Sequence, residues 1–165
     1  MKKIVILSGV PGSGKSYFSK TIKEIKGTHV YIISSDNLRK EMTGSQRNLS
    51  KEKEMWKIFY ELPKVYAYDN EALTILDATH IKSNYRLRVL ESMKQYYDEV
   101  YLICFKLDKE LVFKQNGERE YPVPDYVLEN FYNEFEDPSE EEKKLFDRVY
   151  IIENIEIDKV VNAII

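Results

Sequence analysis

An α/β fold, with a largely parallel sheet of about five strands and helices on both faces, is predicted by three features of the 165-residue sequence. Short β-type runs alternate with helix-type stretches, the pattern of parallel strands joined by crossover helices. The first run, Ile4-Val5-Ile6-Leu7, leads into Gly9-Val10-Pro11-Gly12-Ser13-Gly14-Lys15-Ser16, which satisfies the phosphate-binding loop pattern G-x-x-x-x-G-K-S/T at every fixed position. A helix-like segment from Tyr17 to Lys26 follows, so the loop has the strand before it and the helix after it that the pattern requires.

Each residue of that loop has a chemical reason. The glycines let the backbone curl until successive N–H groups face an anion, and the following helix adds the positive end of its dipole. Lys15 is expected to reach the β and γ phosphates of a nucleoside triphosphate. Ser16 offers a hydroxyl to Mg²⁺, which takes hard oxygen ligands and bridges the same phosphates. The expected nucleotide-binding stretch is Gly9 to Ser16 with Tyr17 beside it, and the expected cofactors are ATP, or another nucleoside triphosphate, and Mg²⁺.

Composition narrows the classes. Length and a 43% hydrophobic content suit one globular domain over residues 1–165. The net charge of -3 lacks the basic excess of an extended nucleic-acid surface, so a polyanion would be gripped locally, at one end. A single cysteine, Cys104, excludes an internal disulfide framework and a cysteine-rich metal site. No apolar run approaches the ~20 residues of a membrane span, and the run after Met1-Lys2-Lys3 stops within a few residues, so a cytoplasmic protein without membrane contact is expected. No feature identifies a protein partner.

Taken in order, Gly27 ends the loop helix and His29 to Ile33 reads as the second strand. Beyond it, Asp36 and Arg39 stand three apart on the first turn of a helix and face one way. Asp36 is either a capping residue or a functional carboxylate. Strand ends beside a phosphate loop are where open α/β sheets bind ligands, which favours function. Residues 43–48 read as a loop whose Arg47 either meets substrate or is solvated, with solvation favoured. Met55, Phe59, Leu62 and Tyr66 recur at helical spacing, and core packing is favoured over base stacking for their aromatic rings. Leu73 to Leu76 forms a third strand ending at Asp77, either a turn residue or a carboxylate that positions metal or water.

Ser83 is expected to cap a helix over residues 84–97 with Leu87, Leu90 and Met93 inward and Arg86 and Arg88 solvated. Val100 to Phe105 is the fourth strand, and Asp108 caps a short helix through Lys114. The segment Asn116-Gly117-Glu118-Arg119-Glu120 before Pro122-Val123-Pro124 suits a lid carrying an arginine over the phosphates, or an ordinary surface loop. Asp125 to Phe135 is helical, the acidic run from Glu134 to Glu142 is read as solvated, Arg148 to Ile152 is the fifth strand and Ile157 to Ile165 a closing helix.

Together, the complete phosphate loop, Asp36-Asn37-Leu38-Arg39, the strand-end Asp77-Ala78-Thr79, and Asn116-Gly117-Glu118-Arg119 before Val123-Pro124 resemble the phage-type polynucleotide 5′-kinases. Phe135-Glu136-Asp137-Pro138 is similar to a stretch in their bacterial relatives. The resemblance implies a P-loop kinase fold with a helical lid and transfer of the ATP γ-phosphate to a 5′-hydroxyl end of RNA or DNA. It implies Asp36 as general base, Arg39 as the grip on the acceptor's phosphate, Thr79 on the acceptor side and Arg119 as the lid arginine, with Lys15 completing the catalytic set. Asp77 would join Ser16 at the metal, directly or through water. The sequence departs from the family at His80, where Asn is usual, and at Lys114, where the phage enzyme has arginine, which implies a weaker phosphate grip. The phosphatase half of the phage enzyme has no room after the kinase residues, so a kinase module alone is expected. The alternative is a P-loop kinase of small hydroxyl-bearing molecules, like zeta toxins or antibiotic phosphotransferases. A nucleotide-responsive binding module is disfavoured, because a switch needs neither a base nor a lid cation.

Overall fold

The computed structural model describes residues 1–153 and 156–165. Strand β1 (Lys3–Ser8) is followed by α1 (Lys15–Lys26), β2 (Val30–Ser34), α2 (Ser35–Thr43), α3 (Glu52–Tyr66) and β3 (Leu73–Asp77). Next come α4 (Ser83–Met93), β4 (Glu99–Phe105), α5 (Lys109–Gly117), α6 (Asp125–Glu134), α7 (Glu140–Lys143), β5 (Arg148–Ile152) and α8 (Ile157–Ile164). Among the described residues the sheet has five strands in the order β2-β3-β1-β4-β5, each neighbouring pair parallel. This is the predicted α/β class.

The strand sequences explain why both faces are covered. Parallel strands buried on both sides read as continuous apolar runs, as Ile4 to Leu7 and Tyr101 to Phe105 do. Alternation then divides them. Val5, Leu7, Ile75 and Ile103 pack with Phe18 and Ile22 of α1 and Val160, Val161 and Ile164 of α8. Ile4, Ile6, Leu76, Leu102 and Cys104 face the other way onto Met55 and Phe59 of α3 and Val89, Leu90 and Met93 of α4. Cys104 is a free, buried strand residue. Phe59 is fully buried and Tyr66 stacks on Tyr31, so these rings serve the core.

The strand order creates the site. After β1 the chain crosses β3 to build β2, returns to β3, then passes to β4 on the opposite side, so β1 is where the winding reverses. Crevices for ligands open at the carboxyl ends of strands at such switch points. The phosphate loop leaves β1 there, Asp77 ends β3, and Asp36 follows β2.

Several expected details differ. Ser83 does not cap α4; it is the first helical residue, and its hydroxyl hydrogen-bonds the Glu142 carboxylate. That helix ends at Met93, and Tyr97 lies in a buried position beyond it with its hydroxyl paired to Thr74. Asp108 stands at the start of α5 without a side-chain capping bond. Arg86, expected in solvent, has 0% exposure. Its guanidinium pairs with Glu142 at 3.0 Å and donates to the carbonyls of His80 at 3.1 Å and Glu136 at 2.8 Å. Glu142 is therefore buried, while Glu134, Glu136, Glu140 and Glu141 of the same run are exposed. A buried arginine needs such a complete set of acceptors, because an uncompensated buried charge is costly.

Candidate active site

A cleft of about 760 Å³ at the carboxyl edge of the sheet gathers the predicted residues, a volume in the range of small-molecule sites. Pro11, Gly12, Gly14, Lys15 and Ser16 of the phosphate loop and Tyr17 after it line the cleft, together with Asp77 and Thr79 at the end of β3, Asp36 and Arg39 of α2, and Arg119. Gly9, Val10 and Ser13 of the loop are buried and do not line the cleft. The Gly9 N–H donates to the Thr79 carbonyl at 2.9 Å, tying the loop to the end of β3.

The loop takes its shape from glycine. Gly12 has φ +80°, and a Cβ there would lie 3.0 Å from the Asn116 nitrogen and the Val112 carbonyl of α5. Only glycine permits both this conformation and this approach. The Lys15 ammonium donates to the Gly9 and Val10 carbonyls, each at 2.9 Å, and curls over the loop. Burial lowers its pKa to about 8, against the opposing pull of Asp77.

Beside it, the Ser16 hydroxyl donates to Asp77 Oδ2 at 2.9 Å. Burial pushes the Asp77 carboxyl upward, while Lys15 and Ser16 oppose the shift. Hydroxyl and carboxylate are hard-oxygen groups, so the pair fits Mg²⁺. Among the described residues there is no cluster of three or more His, Cys, Asp and Glu side chains suited to a metal. A cation held by Ser16 and Asp77 would complete its shell with phosphate oxygens and water, the usual habit of Mg²⁺.

Helix α2 delivers Asp36. Ser34 caps that helix, its hydroxyl accepting from the Asn37 N–H at 3.2 Å, so Asp36 is released from the capping alternative. Its two oxygens bridge two arginines: Oδ1 accepts from Arg39 Nη1 at 2.8 Å, and Oδ2 from Arg119 Nη2 at 3.2 Å. Arg119 thus reaches across the cleft from the segment after α5, 83 residues away in sequence.

Arg39 lines the cleft, but its donors are committed within the protein. Nε and Nη2 fork onto the Glu52 carboxylate, and Nη1 donates to both Asp36 and the Gln46 carbonyl, at 3.1 Å for the latter. Only one N–H of the five remains for an acceptor.

Two residues behave otherwise than the resemblance implied. His80 does not line the cleft; it is buried, with Nδ1 donating to the Leu7 carbonyl at 2.7 Å and Nε2 without a partner. Burial lowers its pKa to about 4, so it is neutral. Its φ of +39° explains why Asn suits this position, since Asn tolerates the left-handed region. The departure therefore concerns backbone conformation and packing and not the acceptor face. Lys114 is exposed and outside the cleft, where Gln115 takes part instead.

Asn116 was not singled out by sequence reasoning. It is buried, and its amide group donates to the Val123 carbonyl at 2.8 Å and accepts from the Val123 N–H at 3.1 Å. This pair closes the segment that carries Arg119. The signal was present: Asn116 lies four residues after buried Val112, on the inward phase of α5.

Fold and site together define the class of P-loop kinases. Within it, the chain belongs to the AAA domain family AAA_33, whose profile matches residues 4–138. In sequence it is 27% identical over 147 residues to L-seryl-tRNA(Sec) kinase of Methanococcus maripaludis, covering 82% of this chain and 53% of that protein. It is 26% identical over 148 residues to protein kti12 of Schizosaccharomyces pombe, covering 82% and 52%. The chain spans about half the length of these relatives. Similar solved structures include Chaetomium thermophilum Kti12 in complex with ADP-AlF3, with TM-score 0.71, 16% identity and coverage of 98% and 99%. A fungal RNA kinase gives TM-score 0.71 at 16% identity, covering 99% of this chain and 43% of that one. A gluconokinase from Sinorhizobium meliloti gives 0.64 at 20%, covering 99% and 89%. At these identities the likeness shows a shared fold. No described helix is long and apolar enough to cross a membrane.

Proposed function

We propose that this chain is an ATP-dependent kinase that phosphorylates the 5′-hydroxyl of an RNA or DNA end, as the phage-type polynucleotide kinases do. The observation that carries the reading is Asp36, a carboxylate released from capping that faces the phosphate loop between Arg39 and Arg119. Phosphoryl transfer asks mainly for positioning and for neutralised charge on the γ-phosphoryl oxygens.

In the proposed reaction the acceptor hydroxyl oxygen forms a bond to the γ-phosphorus as the bond from that phosphorus to the β–γ bridging oxygen breaks. The proton passes to an Asp36 oxygen, and ADP leaves. Lys15 moves from the Gly9 and Val10 carbonyls to the phosphates, and Arg119 exchanges Asp36 for the γ-phosphoryl group. Ser16 and Asp77 would hold Mg²⁺, which neutralises β- and γ-phosphate charge. Arg39, fixed by Glu52, holds Asp36 in place, and Thr79 borders the acceptor.

The choice of a nucleic-acid acceptor is supported by the name of one structural neighbour, the fungal RNA kinase, while the name of the seryl-tRNA kinase points to an aminoacyl acceptor carried on RNA and supports the RNA part alone. The cleft lining adds support. It carries Lys15, Arg39, Arg47 and Arg119 against Asp36, Glu52 and Asp77, a local positive balance on a chain of net charge -3. The gluconokinase neighbour, covered over 89% of its length, favours a small-molecule acceptor as the second reading. The test offers ATP labelled at the γ-phosphate with 5′-hydroxyl RNA, 5′-hydroxyl DNA, nucleosides, gluconate and a metabolite panel. Label on a 5′-hydroxyl end supports the proposal; label confined to gluconate or another metabolite selects the second reading.

A further inference from the structure

The registered pairing of β1 with β3 ends at Ile6 and Leu76. Beyond it the two strand ends are joined by the residues after β3. The Gly9 N–H donates to the Thr79 carbonyl at 2.9 Å, the Ser8 hydroxyl to the His80 carbonyl at 2.8 Å, and His80 Nδ1 to the Leu7 carbonyl at 2.7 Å. Leu7, Ser8 and Gly9, where β1 gives way to the phosphate loop, are thus fixed to Thr79 and His80. The side chain of His80 is unusual for a core position. Its backbone has φ +39°, in the left-handed region that residues with a Cβ seldom adopt. The residue is 4% exposed, its ring lies 5.9 Å from that of Phe59, and its Nε2 has no partner among the described residues. An apolar side chain would fill the space without burying an unpartnered nitrogen. Packing alone therefore does not account for an imidazole here, whereas the bond from Nδ1 does.

The joint bears on the nucleotide through Ser16 and Asp77. Asp77 ends β3, Ser16 stands in the first turn of α1, and the pair meets at 2.9 Å. Lys15, next to Ser16, is held by the Gly9 and Val10 carbonyls, so the placement of the β1 exit passes directly to this pair. We infer that His80 is a positioning residue for the nucleotide: its bond to the Leu7 carbonyl holds the start of the phosphate loop against the end of β3 and keeps Ser16 opposite Asp77 for phosphate-bound Mg²⁺. The inference rests on the nucleotide-binding half of the proposed reaction and is independent of the acceptor. Three substitutions separate backbone, packing and bond. Asn tolerates the left-handed region and carries an amide donor. Gly tolerates the conformation but has no donor, and Leu fills the space but has none either.

Calorimetry with a non-hydrolysable ATP analogue, with and without Mg²⁺, reads this role. In wild type Mg²⁺ should tighten binding. In His80→Gly and His80→Leu that tightening should fall by about tenfold, the order of one lost hydrogen bond, while metal-free binding stays nearly constant. His80→Asn should retain the wild-type effect. A merely structural role would lower the urea midpoint of the variants and leave the Mg²⁺ effect unchanged in the folded proteins, and that result overturns the inference. Wild-type protein supplies a second test that needs no folded variant other than His80→Asn, whose spectrum assigns the signal. In the NMR spectrum of isotope-labelled histidine, of which the chain has two, His80 should carry its proton on Nδ1 at neutral pH. That signal should shift when Mg²⁺ and the analogue are added together. A proton on Nε2, or an Nδ1 signal indifferent to the bound nucleotide, also overturns the inference. Transfer to 5′-hydroxyl RNA, assayed in parallel, keeps the two claims apart. A Mg²⁺ effect lost in His80→Gly with no label on RNA in wild type would sink the polynucleotide reading alone. Label on RNA with the Mg²⁺ effect intact in His80→Gly and His80→Leu would sink the role of His80 alone.

Discussion

Lys15 is the residue whose protonation the fold alters at the phosphate loop. Burial lowers its pKa from 10.5 to about 8, so between those values the folded chain holds fewer protons than the unfolded one. Stability of the ligand-free protein should therefore gain from this group as pH rises from 8 to 10.5, and lose that contribution as pH falls back to 8. Activity should run the opposite way, since the ammonium is the form that neutralises phosphate. We predict that kcat/KM for ATP, which reports the free enzyme, falls above about pH 8, whereas kcat at saturating ATP holds to higher pH because bound phosphates retain the proton. A kcat/KM profile flat to pH 10 would remove Lys15 from the reaction. Arg119 makes a second residue-scale prediction. Its bond to Asp36 shows that it reaches the cleft, and Arg119→Ala should lower turnover about 10³-fold or more if it stabilises transition-state charge. Arg119→Lys should restore only part, because the planar fork is lost. Steady-state kinetics unchanged in Arg119→Ala would return it to a surface arginine.

At the scale of elements, the site depends on joints between segments far apart in sequence. Arg86 of α4 joins Ser8 at the end of β1, the His80 carbonyl after β3, the Glu136 carbonyl after α6 and Glu142 of α7. Removing one partner strands a buried charge, so Arg86→Met should lower the unfolding free energy by about 3 to 5 kcal/mol, measured by urea titration. Adding Glu142→Leu should recover part of that loss; a single variant as stable as wild type would deny the joint its importance. This joint also shows where sequence reading stops. Arg86, Val89, Leu90 and Met93 recur at helical spacing on one buried face, yet an arginine on that phase reads as solvated until its acceptors are known, and the carboxylate among them lies 56 residues away at Glu142. The strands, by contrast, were legible because each is a continuous apolar run bounded by turn residues. The phosphate loop was legible for a different reason: its spacing encodes its own local geometry. Asp36, Asp77 and Arg119 could be nominated individually from strand ends and loops, and Thr79 only through the family resemblance, but their meeting in one cleft required the β2-β3-β1-β4-β5 order.

For the whole molecule, an acidic chain of net charge -3 carries a cleft whose lining has a positive balance. Such a surface favours a local grip on one end of a polyanion over tracking along its length. In the proposed reaction Asp36 takes the proton from a 5′-hydroxyl while the phosphate loop presents ATP. Asp36→Asn keeps the shape, and its one amide oxygen still accepts from one of the two arginines, but its amide nitrogen cannot accept from the other and the residue cannot serve as a carboxylate base. The most direct measurement is transfer of labelled γ-phosphate from ATP to a 5′-hydroxyl RNA oligonucleotide by the wild-type protein and by Asp36→Asn, with ATP affinity measured on both. Wild type should give a labelled 5′-phosphate, and Asp36→Asn should lose about 10²-fold or more, in line with general-base contributions, at nearly equal ATP affinity. No label on RNA with wild type, or equal rates for the two proteins, would contradict that reaction.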